Sequence, residues 1–280
     1  MITSSRFQKK FKRHMPAIFP LLAAFVLLLS LNFTKNASSP EQCRLMVICK
    51  ADRIAALLEN SVRKIEKNDL VLYEDLIAEY DSARTCYASV EFFVEYYSPF
   101  DAHNFINPEN ISGNEGAGFR SIYLQLQSRN ANVNKLLKDY RLLSAKFRDL
   151  ERAYGEMEIK QPQLLAALNL QLQQMRRSSI FNDKRVDKME QELCMSSLRG
   201  ISEAMNYLAA DTYYSLLLEE SHNTLKECMN KASTLNGRTT DAAYFCSEII
   251  DPVIEQMTQT IAPVPPGKES NVKYLLSQTR

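Results

Sequence analysis

From residue 119 to residue 154 the chain contains neither glycine nor proline, and its apolar side chains recur at steps of three and four. The set is Phe119, Ile122, Leu126, Arg129, Val133, Leu136, Tyr140, Leu143, Phe147, Leu150, Tyr154 and Met157, with Arg129 alone not apolar. A period near 3.5 residues puts such positions on one side of a helix. The spacing predicts a single helical seam of about 39 residues, roughly 58 Å long. Gly155 and Pro162 bracket its end.

The same absence of breakers extends further. Residues 41–98 hold no glycine or proline, and 163–251 hold only Gly200 and Gly237. A second seam runs Tyr73, Leu76, Tyr80, Ala83, Tyr87, Val90, Val94 and Tyr97, ending before Ser98-Pro99. Leu165, Leu168, Leu172 and Met175 continue the pattern after Pro162. A further long segment is expected from about Asp183 to Ser233, striped by Val186, Met189, Leu193, Ala204, Tyr207, Tyr214, Leu218 and Leu225. Asn236-Gly237-Arg238 reads as a turn, and Thr240 or Asp241 as the cap of a last helix to about Ile261, kinked at Pro252. The fold class is therefore all-α: an N-terminal signal-anchor helix, then an elongated helical bundle or antiparallel coiled coil of long hairpins. Only seven glycines and ten prolines argue against turn-rich β architectures. A hydrophobic content of 45% with 24% charged residues is globular rather than disordered composition.

The leader has its own signature. Residues 1–14 hold five of the 34 Lys and Arg and no acid, so the other 29 bases face all 33 acids, a net charge of −4. Such a body is a poor partner for nucleic acid. Residues 15–31 then run uncharged for about 25 Å of helix, enough to enter a bilayer. With the basic flank on one side only, the positive-inside rule keeps 1–14 in the cytoplasm and exports the rest. No small-x-small pair marks a cleavage site, so 15–31 reads as an uncleaved single-pass anchor. The organisation expected is a basic segment 1–14, an anchor 15–31, a linker 32–40, a helical bundle 41–262 and a tail 263–280. The body would lie in a periplasm, a secretory lumen or the extracellular space.

All six cysteines, Cys43, Cys49, Cys86, Cys194, Cys228 and Cys246, follow the apolar run. In an exported body they are disulfide candidates. Cys228 and Cys246 each lie nine residues from Gly237, so a hairpin turning there would bring them level. A bridge between them would add about 3 kcal/mol by loop entropy. Cys49 and Cys86 are likewise equidistant from a break at Lys67-Asn68-Asp69. Cys43 and Cys194 remain, to bond each other, to join hairpins or to cross-link chains.

Residues 98–118 form the one long irregular stretch, with three of the seven glycines. Long loops in folded domains commonly carry contacts. Phe100, His103, Phe105, Ile106 and Ile111 are the interaction candidates; the plainer reading packs them over a helix end. Asn32, Asn36 and Asn110 match glycosylation acceptors, meaningful in a eukaryotic host.

Catalytic signatures are missing: no H-E-x-x-H, no G-x-S-x-G and no phosphate loop. Glu219-x-x-His222 has the spacing of a bundle metal pair, but no second pair accompanies it. No cofactor or metal is expected, and the tyrosines on the seams read as core with hydroxyls at the rim. These features favour a membrane-anchored scaffold that acts through protein partners, self-association included. In that reading a clipped helical rod carries loop 98–118 away from the membrane. A ligand-binding sensor working through a partner is the alternative, and an enzyme of unrecognised type the lesser one.

Overall fold

The computed structural model describes residues 39–67, 73–107, 118–128, 132–177, 185–186, 188–210, 212–234 and 240–261. The helices are α1 (Ser39–Glu66), α2 (Tyr73–Ala88), α3 (Glu91–Tyr97), α4 (Pro99–Asp101), α5 (Phe119–Gln127), α6 (Val133–Gly155), α7 (Gln161–Arg177), α8 (Lys188–Leu208), α9 (Thr212–Thr234), α10 (Ala242–Phe245) and α11 (Asp251–Ile261). π-helical turns follow α4 (Ala102–Ile106) and α10 (Cys246–Ile250). A two-residue antiparallel ladder pairs Arg185 with Asp241 and Val186 with Thr240. The body is thus all-helical apart from that ladder. The leader 1–31 and the tail 263–280 lie outside the described residues, as do Ile111 and all three sequons.

Most seam residues are buried as their period requires, but the helices are shorter than the period suggests. Phe119, Ile122, Leu126, Leu136, Tyr140, Leu143, Phe147, Leu150 and Tyr154 are all in the core. The expected 39-residue rod is nevertheless two helices. Ser128 leaves α5 in an extended conformation, and Asn132, also extended, caps α6 by accepting from the Lys135 amide. Asparagine in that position satisfies an orphan N–H that a continuous helix would not leave open. Val133, at the centre of the seam, is 56% exposed. The two arms then fold back on each other: Ser121 and Gln125 both donate to Asp139, at 2.6 and 2.7 Å. Phe119 and Phe147, which a straight helix would hold about 40 Å apart, have ring centroids 6.1 Å apart.

The second seam also breaks. α2 ends at Ala88, Ser89-Val90 turn, and α3 restarts at Glu91. The expected helix from Asp183 to Ser233 is likewise the pair α8 and α9, and Ser202 Oγ meets His222 Nε2 at 3.3 Å across it. In each case the apolar period continues through the break, because the helices on both sides of it bury the same kind of face. The last helix ends at Ile261 as the sequence predicts. The helix is preceded by a π turn next to Pro252. Pro252 itself sits in the first turn of α11, just past that π turn, which is closed by the Asp251 amide on the Cys246 carbonyl. The wider turn fits a residue that has no N–H to give.

Packing joins these pieces around aromatic rings. Phe119 lies 5.9 Å from Tyr80, 5.4 Å from Tyr87 and 6.1 Å from Phe147, and Phe93 lies 5.0 Å from Tyr154. α1 runs antiparallel to α6. At one end Arg44 donates to the carbonyls of Tyr154 and Gly155 at 2.7 and 2.5 Å, and at the other Arg141 pairs with Glu66. Between them Arg148 holds Glu59 at 2.9 Å and also pairs with Asp52. That guanidinium draws the Glu59 carboxyl below its ordinary range. α1 and α2 form the expected hairpin, with Glu79 taking Ser61 at 2.6 Å and Lys64 at 2.8 Å.

α8 reaches the α2–α3 corner through a glycine. A Cβ on Gly200 would stand 1.8 Å from the Ser89 carbonyl oxygen. One turn away, Ser197 Oγ donates to the Ala88 carbonyl at 3.0 Å. Alanine normally improves on glycine inside a helix by up to about 1 kcal/mol. Here the neighbour is backbone and cannot swing aside. Gly200→Ala is expected to destabilise by about 3 kcal/mol, the upper end of overpacking. Gly155→Ala, with nothing within 4 Å of its Cβ, is expected to be neutral or slightly stabilising. Urea midpoints of the two variants check the opposite signs.

Candidate interaction surface

Residues 99–107 are ordered structure rather than irregular loop. Pro99 opens α4, where its missing N–H costs nothing. The π turn then closes with the Asn107 amide on the Ala102 carbonyl. Ala102 and Ile106, four apart, point inward and are fully buried. Ile106 is therefore core, and the expectation that it meets a partner is corrected: it lies on the same inner face as Ala102. Phe100 and Phe105 point outward, 68% and 41% exposed, and stack edge-on at 5.7 Å.

Side chains of α6 and α3 hold this segment down, with one further tie inside it. Tyr154 donates its hydroxyl to Ser98 Oγ at 3.0 Å. Lys146 Nζ pairs with Asp101 at 2.9 Å and lies 4.6 Å above the Phe105 ring. His103 Nε2 stands 3.1 Å from Glu95 Oε2, with the histidine half exposed and the glutamate buried. Asn104 Nδ2 donates to the Phe100 carbonyl at 2.9 Å. An exposed phenylalanine ordinarily gains by collapsing onto its neighbours. These ties fix the backbone so that the two rings stay on the surface.

Beneath the segment lies a buried polar group. Glu91 and Glu95 occupy one face of α3, a turn apart. Glu91 accepts from Gln171 Nε2 at 3.2 Å and faces Arg84 Nη1 at 4.0 Å. Burial raises the Glu91 pKa, and the Arg84 charge opposes the rise. The Arg84 guanidinium lies over the rings of Tyr87 and Phe119, at 5.5 and 5.3 Å. Arg84 Nη1, the Tyr87 hydroxyl and Gln171 Oε1 are buried and have no hydrogen-bond partner among the described residues. The sequence did not reveal this group, because its members come from α2, α3 and α7. Of the seam tyrosines, Tyr80, Tyr87, Tyr140 and Tyr154 are core, while Tyr73 is exposed and Tyr97 and Tyr207 are half-buried; burial pushes the Tyr80 phenol up to about 12.

No disulfide joins any of the six cysteines in the structure. Cys43 is fully buried beside Glu203 and Lys50, and burial pushes its pKa up to about 12. Cys49 is exposed, and Cys86 half-buried on the facing helix. Cys228 is buried among Lys231, Glu227 and Glu248. Cys246 is half-buried, with Arg176 and Asp251 as its charged neighbours. Glu248 is the residue that meets α9, pairing with Lys231 at 3.2 Å. Cys246, two residues earlier, lies about half a turn round the axis. Cys194 is buried on α8 and has Cys246 as its titratable neighbour.

The histidine of Glu219-x-x-His222 is buried against Ser202. No group of three or more His, Cys, Asp or Glu among the described residues is placed to hold a metal ion. Nor is any helix among them long and apolar enough to cross a membrane. The chain matches no protein-family model, and no curated protein matches its sequence.

Burial, reinforced by the Lys226 charge, lowers the His222 pKa below its ordinary 6.5. A base whose folded pKa is depressed lets the unfolded chain bind the proton first. Stability attached to neutral His222 is therefore present above about pH 6.5 and falls as pH drops from there towards the folded value. Urea midpoints measured between about pH 7.5 and 5 are expected to decline more steeply for the wild-type chain than for His222→Gln.

Proposed function

We propose that this chain is a membrane-anchored, extracytoplasmic helical scaffold that works by protein contact, as a component of an envelope, organelle-lumen or secretion-type assembly. The observation that carries the contact role is the Phe100–Phe105 ring pair, kept at the surface by Ser98, Asp101, Asn104 and His103 contacts. Two phenylalanines held outward on a tied segment suit the buried centre of an interface, where aromatic anchors carry much of the binding energy. The location rests on the basic segment 1–14 and the uncharged run 15–31. Partners are proteins, a second copy of the chain included, and the net negative body argues against nucleic acid.

A sensor is the second reading. It is favoured by the buried Arg84, Tyr87 and Gln171 atoms that lack hydrogen bonds among the described residues. Buried polar groups of that kind normally find a partner, in protein, water or ligand. A sensor would gain thermal stability from a small polar ligand that binds only the folded state.

Two measurements test the leading reading. Membranes washed at alkaline pH should retain the full chain, with residues beyond 40 on the non-cytoplasmic side in protease-protection assays. A photo-reactive residue at position 100 should give discrete adducts in native membranes, while one at the exposed Arg152 should not. A chain recovered free in the cytosol, or equal adducts from both positions, would sink the proposal.

A further inference from the structure

The aromatic pair does not stand alone on its side of the molecule. Lys146, whose Nζ lies 4.6 Å above the Phe105 ring, belongs to a row on α6. Lys135, Lys138, Leu142 and Lys146 follow one another at steps of three and four, so they share one face of the helix. The row spans about 16 Å, three helical turns. Leu142 is 48% exposed within it, and Lys138 is exposed too. Asp139 lies on the α5 side of the row, where Ser121 and Gln125 close on it. Leu124, beside Gln125 and three residues after Ser121, is 53% exposed at the same level. Exposed apolar side chains therefore continue from Phe100 and Phe105 to Leu142 on α6 and Leu124 on α5.

Charge on this side has one sign. From Val133 to Arg148 the chain has five bases and a single acid, Asp139. That acid is buried and already accepts from two α5 side chains. Arg141 and Arg148 turn towards α1, where Glu66, Glu59 and Asp52 hold them. Lys146 is held by Asp101. Among the described residues that leaves Lys135 and Lys138 without an acid, on a chain whose net charge beyond residue 14 is −4. A basic row with apolar members, on a body of the opposite sign, is complementary to an acidic apolar partner.

We propose that Phe100, Phe105, Leu142 and Leu124, together with the end of α6 that carries Lys135 and Lys138, dock one acidic amphipathic helix of a partner protein. The proposal rests on the contact role stated above and adds the chemistry of the partner. A narrow, straight row three turns long suits a second helix laid beside it, with apolar residues at i, i+4 and i+7 against the rings and the two leucines. Carboxylates on the flank of that helix meet Lys135 and Lys138. Two free cations are too few to track a nucleic-acid backbone, whose binding grows with each phosphate neutralised.

The test places a photo-reactive residue at position 142, or at 100, in the full chain in native membranes and sequences the crosslinked peptide by mass spectrometry. Both positions are expected to capture the same protein, through a segment rich in Asp and Glu whose apolar residues recur every three to four. Lys135→Glu combined with Lys138→Glu should cut capture at 142 about tenfold, whereas Lys135→Arg with Lys138→Arg should leave it unchanged. Circular dichroism and urea midpoints show that the variants remain folded. A crosslinked segment without acidic residues overturns the proposal, as does an adduct with lipid, with a second copy, or with residues 108–117 of the same chain. Full capture by the charge-reversed variant does so too. Capture at 100 with none at 142 removes this inference and leaves the contact role standing; capture at neither removes both.

Discussion

Phe119 is the ring on which the N-terminal helices converge. It touches Tyr80 and Tyr87 of α2 and Phe147 of α6, and the Arg84 guanidinium lies over its face. Its position depends on Gly118, whose φ of 125° starts α5 in a conformation that side chains other than glycine rarely adopt. Once Phe119 is seated, α5 must turn back along α6, and the buried Ser121–Asp139–Gln125 contacts follow. α1 then closes the other side of α6. The segment that presents Phe100 and Phe105 is tied to the same scaffold through Tyr154 and Lys146, both on α6. The surface feature is therefore a product of the core.

The helical character and most core positions were legible in the sequence, because burial and period are two statements of one fact. The reversals were not. A hairpin whose arms bury the same face yields the same three-four stepping as a rod, so the pattern cannot distinguish Phe119-to-Tyr154 as one helix from the same residues folded in two. The signals that could have done so are small. Asn132 stands three residues before Lys135, whose amide it accepts, and Ser128 and Asn130 lie close by. At the α8–α9 reversal, Ala209-Ala210 form a turn just before Thr212 opens the next helix. Capping residues deserved more weight than the unbroken absence of proline and glycine.

The candidate surface differs from the loop that composition alone suggests. Residues 98–118 drew notice as a glycine-rich loop, yet its first third is helical turn, with Ile106 in the core. The aromatic pair was identified by composition, while its exposure depends on contacts from Lys146 and Tyr154, far away in sequence. The cysteine distances show the same limit. Equal distance from a turn gave the Cys49–Cys86 neighbourhood. At the C-terminal hairpin the same count places Cys228 and Cys246 level, and there Glu248 pairs with Lys231 of α9. Counting residues gives height along a helix and says nothing of azimuth.

Arg44 hydrogen-bonds the carbonyl of Tyr154, 110 residues downstream. The longest of the described helices thus finds its main partner only after more than half of the described body has been synthesised. Until then the Val47, Ile54 and Leu58 side of α1 has little but α2 to shelter it. Contacts of such long range close slowly and leave apolar surface open to stray association. The order in which the ribosome delivers this polypeptide makes α1 the described helix most in need of a chaperone's protection.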